Sequence, residues 1–431
     1  MPDNTIAIII LLGSFAVMTM AKMPMTFSLA ISSVVTALYL KVPLMSVFLL
    51  MVKGVNVFSL LAIPFFIIAG EIMGQGGIAR RIVDFANLIV GRVRGGLAMV
   101  NVLDSTFFGG ISGSAVADVS SLGAIMIPMM VEKGYDEDFS VALTVTSACQ
   151  GVLIPPSHNM IIYSVAAGGV SVGALFLGGL IPGLILGLAL AILSLVISIK
   201  RNYPKEDKVS FKEALRIIWN SLLGLVTAVI IIGGVMTGIF TATESAAVAC
   251  IYAFIITFFV YREIPLKKLG DILFDSLKTL AMVMSLIAAA SAFGWMLAYL
   301  KVPALATNAL LSITNNKYVL LLLINLLLLG LGCIMDMAPL ILITTPILLP
   351  VLTNMGVDPI HFGVMLVLNL AVGLCTPPVG SALFVGCAIG KISIEKATKA
   401  LLPFYIAMFV TLLLVTYIPE IVLFIPRLIA K

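Results

Sequence analysis

Apolar runs long enough to cross a bilayer, about 17–25 residues each, recur from one end of this 431-residue chain to the other. In the first half the pattern predicts spans near 5–21, 24–40 and 55–73. A basic amphipathic stretch follows from Gly77 to Arg94, with Arg80, Arg81, Arg92 and Arg94 on its polar side. Such a segment suits the membrane interface rather than the core. The next apolar piece is broken by Gly109-Gly110-Ile111-Ser112-Gly113-Ser114. Two arms joined at a Ser/Gly tip predict a re-entrant hairpin near 105–131. A helix interrupted at Gly151–Ser157 is expected over 139–168, and a span over 172–199 closes the half.

The same order then returns. Pro43 falls on Pro265, Gly110 on Gly332, Gly151 on Gly373 and Pro155-Pro156 on Pro377-Pro378, each at one shift (43 + 222 = 265; 155 + 222 = 377). Matched Gly and Pro mark special backbone rather than interchangeable apolar filler. The chain is therefore expected to hold a first repeat over 1–200, a cytoplasmic linker over 201–220 and a second repeat over 221–431. The second hairpin is expected near 327–352 and the second broken helix near 360–390. Duplicated units with a broken helix in each half are a common build for secondary transporters, with the site where the halves meet.

Charge adds orientation. With five spans and one hairpin per half, 19 of the 25 Lys and Arg fall on one side and six on the other. The positive-inside rule makes the richer side cytoplasmic. Both termini then face outward, and an odd number of spans per half makes the repeats inverted. The fold class expected is thus an all-α polytopic membrane protein of two inverted repeats.

Composition narrows the chemistry. At 61% hydrophobic and 10% charged, the chain lies far from soluble domains, which are about a quarter charged. Its net charge of +5 reports topology, so no nucleic-acid partner is inferred. Five Cys and 22 Met are scattered without ligand spacing and read as packing residues. No phosphate loop, H-E-x-x-H motif or Cys/His cluster is present. Ser157-His158 are too close in sequence to serve easily as a nucleophile and its base. The start, Met-Pro-Asp-Asn, is acidic where a signal peptide is basic, so the first span reads as retained.

The breaks carry the functional signal. Two consecutive prolines remove two N–H donors and force the helix open. Carbonyls freed at membrane depth need a partner, and a dehydrated Na⁺ is one. A kink satisfied by a neighbouring helix is the plainer alternative. At the first tip, Ser112-Gly113-Ser114 offers hydroxyls and a half-helix N-terminus for an anion. At the second, Asp336 reads as a cation ligand or a partner for substrate hydroxyls, or as an N-cap. Asn159 is a donor for a carboxylate. Glu71 is expected to reach the interface, Glu244 to be structural, and Asp104 and Asp118 to be local caps.

The run from Phe107 to Asp118, the Pro155-Pro156-Ser157 break, Gly332-Cys333 with Asp336, and Gly373-Leu374-Cys375-Thr376-Pro377-Pro378 resemble the large membrane subunit of tripartite ATP-independent periplasmic (TRAP) transporters. The resemblance implies a Na⁺-driven elevator importer of organic acids in a bacterial inner membrane. It implies two partners, a periplasmic substrate-binding protein and a small four-helix membrane subunit. It places one Na⁺ among Ser112, Ser114, Gly151 and Pro155, and a second among Cys333, Asp336, Gly373 and Thr376, giving two or more coupling ions. Substrate would touch Ser112, Ser157, Asn159 and Asp336. The Pro156-Ser157-His158-Asn159 variant is similar to members handling sialic acid; C4-dicarboxylates are the other substrate class. The alternatives are a Na⁺/carboxylate symporter that needs no binding protein and, more distantly, a channel or intramembrane enzyme.

Overall fold

A computed structural model describes residues 4–205 and 209–429. Lys208 and Lys431, which enter the charge count, lie outside the described residues, as do Met1, Pro2 and Asp3. The described chain is helical. It opens with α1 (Asn4–Met20), α2 (Met25–Leu40), α3 (Leu44–Val55), α4 (Ala62–Gln75) and α5 (Ile78–Val90). Then come α6 (Gly96–Ser112), α7 (Ala115–Ser121), α8 (Gly123–Glu132), α9 (Glu137–Gly151), α10 (His158–Ala166) and α11 (Val172–Lys200). The second half has α12 (Phe211–Met236), α13 (Ala242–Ile255), α14 (Leu269–Tyr299), α15 (Val302–Ile313) and α16 (Lys317–Gly332). It ends with α17 (Met337–Asn354), α18 (Pro359–Leu374), α19 (Ser381–Gly390), α20 (Ile394–Tyr417) and α21 (Glu420–Ile429).

The 222-residue spacing persists in the helix starts. Ala115 and Met337 open α7 and α17, Glu137 and Pro359 open α9 and α18, and Val172 and Ile394 open α11 and α20. α9 and α18 are the axial helices: every residue from Phe139 to Gly151, and from His361 to Leu374, is buried. α18 is largely apolar on every face, while α9 buries Ser140, Thr144 and Thr146 with their hydroxyls bonded to the helix's own carbonyls and Gln150 with its amide bonded to Thr106 Oγ1. Around them pack α6, α7, α8, α19 and α20 on one side and α16, α17, α11 and α20 on the other. α1 to α5 and α12 to α14 form a second layer, joined to the first through α5–α6, α4–α6 and α14–α17.

Several boundaries differ from the sequence pattern. Residues 44–55, between the expected spans 24–40 and 55–73, form a helix of their own, with Pro43 at its N-cap position. The expected linker 201–220 is shorter, because Ser210 caps α12 by accepting from the Glu213 amide at 3.3 Å. The first hairpin arm starts at Gly96, and its helix runs through Ser112 before breaking. Among the described residues seven helices are long and apolar enough to cross a membrane, or nine if two bent pairs each count as one span. α1 and α2, at 17 and 16 residues, are apolar helices at the lower limit of spanning length and are not in that number. The largest difference between the halves is α14, a continuous 31-residue helix matching the separate α3 and α4.

Candidate functional site

Each break is a proline pair that interrupts an axial helix. Pro155 and Pro156 lack the N–H groups that would bond Gly151 O and Val152 O, so α9 stops at Gly151. Gly151 O takes the Ile154 amide instead, at 3.2 Å. In the second half Gly373 O takes the Thr376 amide at 3.0 Å. Both proline pairs are cis.

Each break is met by a hairpin tip. Gly113 ends α6 at φ +60°, a conformation that only glycine adopts without cost, and its Cα faces the Pro156 carbonyl, Ser157 Cα and His158 N. Gly109 and Gly151 touch backbone to backbone, and a Cβ on Gly151 would lie 3.1 Å from Gly109 Cα. Gly332 and Gly373 repeat this contact, with a Cβ on Gly373 only 2.7 Å from Gly332 O. Val379 N–H also donates to Cys333 O across the second break, at 3.2 Å. Cys333 thus engages through its carbonyl.

The tips face a cavity of about 550 Å³. Ser112, Ser114, His158, Asn159 and Asp336 line it, opposite Glu71 on α4 and Thr279 on α14, with Phe66, Phe108 and Leu286 among its apolar walls. No Lys or Arg is among its lining residues. Ser114 caps α7, accepting from Ala117 N at 3.4 Å, and Ser112 Oγ accepts from Ser114 N at 3.4 Å. Asp336 occupies the N-cap position of α17 but makes no side-chain cap bond. It accepts instead from Ser381 Oγ at 3.2 Å, tying the second tip to α19.

Of the expected substrate contacts, Ser112, Asn159 and Asp336 reach the cavity; Ser157 does not. It is fully buried behind Gly113, and its neighbour His158 forms that part of the wall. Gly151, Pro155, Cys333, Gly373 and Thr376 lie behind the cavity at the two tip–break contacts. Their available donors toward a cation are oxygens, the Thr376 hydroxyl among them, which itself donates to Val372 O at 2.7 Å. An all-oxygen set fits a hard monovalent ion.

Three other expectations change. Glu71 faces the cavity rather than the interface, held by Gln75 Nε2 at 3.3 Å. Asp104 and Asp118 are not caps: both are fully buried, and Ser114 takes the capping role. Glu244 is structural, forming a reciprocal capping box with Thr241. His361 is held by a 2.8 Å contact to Val415 O.

Outside the spans, a polar cluster fixes the start of α9. Tyr203 Oη donates to Asp136 Oδ2 at 2.6 Å, Arg201 reaches the same oxygen at 2.7 Å, and Lys396 of α20 pairs with Glu137 at 3.1 Å. The Tyr203 hydroxyl, followed by Arg201, holds the Asp136 carboxyl below the usual carboxylate range. Burial, followed by the bond to Asp136, pushes the Tyr203 phenol up to about 12.

Residues 12–421 match the family model for the tripartite ATP-independent periplasmic transporter, DctM component. The chain belongs to this family. Among its relatives, an uncharacterized protein YgiK of Salmonella typhimurium is 45% identical over 426 residues, 98% of either chain. The sialic acid TRAP transporter large permease protein SiaM of Vibrio cholerae is 42% identical over 378 residues, 88% of either chain. The C4-dicarboxylate TRAP transporter large permease protein DctM of Rhodobacter capsulatus is 36% identical over 435 residues, 97% of this chain and 99% of that one. The fold resembles the Alcanivorax borkumensis YdaH transporter at a TM-score of 0.64, with 14% identity over 86% of this chain and 88% of that one. As a TRAP large permease the chain is a membrane transport protein, not an enzyme.

Proposed function

We propose that this TRAP large permease imports an organic acid across the bacterial inner membrane, driven by Na⁺. The observation that carries the reading is the pairing of each glycine-apposed tip with a double-proline break behind one cavity. Gly151 and Pro155 with Ser112 and Ser114 would hold one ion. Gly373, Thr376, Cys333 O and Asp336 would hold the other. Na⁺ then supplies positive charge beside a cavity lined by hydroxyls, an amide and carboxylates. The two halves act as inverted repeats, and the tips and breaks move together as an elevator past α1 to α5 and α12 to α14. Both termini face the periplasm.

Substrate is delivered by a periplasmic binding protein, and a small membrane subunit completes the assembly. A sugar acid such as sialic acid is favoured, because the cavity presents hydroxyls, Asn159 and carboxylates but no Lys or Arg. A dicarboxylate would lack the bidentate clamp that Arg supplies. Energetically, one Na⁺ entering down ~100 mV and a tenfold gradient releases roughly 3.7 kcal/mol. Two ions, less ~2.3 kcal/mol for moving a monoanion inward, leave roughly 5 kcal/mol, enough for more than about a thousandfold accumulation.

The test is uptake of radiolabelled sialic acid into proteoliposomes holding this chain and its small subunit, with the Na⁺ gradient and the binding protein each varied. Uptake needing both supports the reading. Uptake with Na⁺ alone would assign a simpler symporter. Uptake of succinate in place of sialic acid would move the substrate to dicarboxylates. Asp336→Ala is expected to abolish Na⁺-driven uptake in folded protein, and normal uptake would remove Asp336 from the site.

A further inference from the structure

The corner where α5 ends and α12 begins is used by nothing described so far. α11 and α12 are each long and apolar enough to cross a membrane, so the segment joining them lies at one membrane surface. α5 runs antiparallel along the start of α12. The Ser221 hydroxyl donates to Arg81 O at 2.7 Å, and Arg92, just past the other end of α5, donates to Val209 O at 3.4 Å. Packing thus brings Arg92 beside the first turn of α12. Arg92 and Arg94, taken with residues 200–216, hold eight Lys or Arg against three acids. Arg201 is engaged by Asp136, and Arg94 by Asn202 Oδ1 at 2.8 Å. Among the described residues Arg92, Lys212 and Arg216 form no ion pair, and all three are exposed.

Apolar side chains point outward beside these charges. Phe211, Leu215 and Trp219 recur at every fourth residue, on one face of α12, and are 86%, 59% and 74% exposed. Lys212 and Arg216 follow the same spacing on the adjacent face. Basic residues next to a span set topology wherever they fall, but that rule does not ask for this grouping. The turn itself does not need the charge: shifted by 222, Arg92 and Arg94 become Thr314 and Asn316 (92 + 222 = 314; 94 + 222 = 316). There the Thr314 hydroxyl simply accepts from the Asn316 amide at 3.1 Å. At the α5–α12 corner, free cations from two distant segments flank an exposed aromatic stripe at the start of a span. Tryptophan favours headgroup depth, and Arg forks suit phosphate oxygens.

We propose that Arg92, Lys212 and Arg216 bind the headgroup phosphate of an anionic phospholipid, whose acyl chains lie along Phe211, Leu215 and Trp219. The occupant is a lipid rather than a soluble phosphate because the basic stripe borders an apolar one on a membrane span. With the termini outward this corner faces the cytoplasmic leaflet, whose anionic lipids attract such charge. α5 packs on both α12 and α6, so the lipid sits where the outer layer joins the inner one. The site needs only that α11 and α12 cross the bilayer; it is independent of ion coupling and of the substrate.

The chain supplies its own reporter. It has two tryptophans, Trp219 in the stripe and Trp295, which stacks on Tyr299 at the end of α14. Trp295→Phe leaves Trp219 alone to be read. The full chain with this change is placed in phosphatidylcholine nanodiscs holding a minor fraction of dibrominated phosphatidylglycerol or, at equal fraction, dibrominated phosphatidylcholine. Bromine quenches indole at short range, so phosphatidylglycerol should quench Trp219 at a several-fold lower fraction. Arg92→Gln, Lys212→Gln and Arg216→Gln should each lower the apparent affinity for it by about fivefold. Arg427→Gln on α21 should leave it unchanged, and about 1 M salt should shrink the preference. Equal quenching by the two lipids overturns the proposal, as does a preference that survives in the triple variant. If that variant does not fold, a preference undiminished in about 1 M salt overturns it. Quenching abolished by adding a tryptophan-free form of the small membrane subunit would give this face to that partner and also overturns it.

Discussion

Gly113→Ala tests the apposition of tip and break directly. Two costs add. An L-residue in the left-handed region costs roughly 1–2 kcal/mol relative to its preferred conformation, and Gly113 sits at φ +60°. The new Cβ would also meet the Pro156 carbonyl, with Ser157 Cα at 3.2 Å and His158 N at 3.3 Å. All three are backbone atoms that cannot rotate away, so overpacking adds about 1–3 kcal/mol. The expected total is roughly 2–5 kcal/mol. Gly134 supplies the control: its φ is +89° and nothing lies within 4 Å of its Cβ position. Gly134→Ala should therefore show only the conformational cost of roughly 1–2 kcal/mol. Unfolding of the purified proteins in detergent, followed by tryptophan fluorescence or circular dichroism, gives the difference. Uptake should be lost with Gly113→Ala and kept with Gly134→Ala. Equal destabilisation by the two would refute the close contact between the first tip and its break.

Three further outcomes are expected. Thr241→Ala should cost about 1 kcal/mol by removing a helix cap, and adding Glu244→Ala should cost little more, because both belong to one capping box; additive losses in thermal unfolding would contradict this. Arg81 pairs with Glu263 at 2.5 Å and lies 3.8 Å from the Tyr261 ring, so a double-mutant cycle should give a coupling of about 1 kcal/mol or less, weakening in high salt. A coupling insensitive to salt would point to packing alone. Asp136 has a lowered carboxyl pKa, so its contribution is present above the ordinary value of about 3.9 and is lost as pH falls through the lower folded value. Tyr203→Phe should therefore destabilise at pH 7 and approach the wild type in acid; a pH-independent difference between pH 7 and pH 3 would exclude this cause.

The breaks were legible in the sequence because proline acts locally: two missing N–H groups stop a helix whatever surrounds it. The tips were legible for a related reason, since Gly113 and the Gly109–Gly151 contact need glycine at fixed places. What escaped depended on helix phase and on partners distant in the chain. Asp104 and Asp118 resemble caps when only neighbours in sequence are considered; their burial appears only once α9 lies against α6 and α7. Glu71, at a span end, turns inward because α4 packs on α13 and α14. One miss was avoidable. Ser210-Phe211-Lys212-Glu213 carries the S-x-x-E signature of a helix start, yet the charges that follow it read as linker.

Charge balance in the cavity gives the coupling reading its physical logic. Glu71 and Asp336 contribute two formal negative charges to its lining, and no Lys or Arg answers them there. The N-terminal residues of α7, α10 and α17 do line it, at Ala115, His158 and Met337. A helix N-terminus counts for about half a positive charge, and less in the seven-residue α7. Three of them supply roughly +1.5 at most, which does not offset two carboxylates, let alone an incoming organic anion. On the proposed reading, the bound ions behind the tips make up the deficit. Anion binding then becomes conditional on cation binding by electrostatics alone, without a moving part to enforce the order. The apparent affinity for the anion should rise with Na⁺ concentration when measured on the isolated membrane assembly. An affinity that is flat in Na⁺ would separate the ions from the cavity they are proposed to serve.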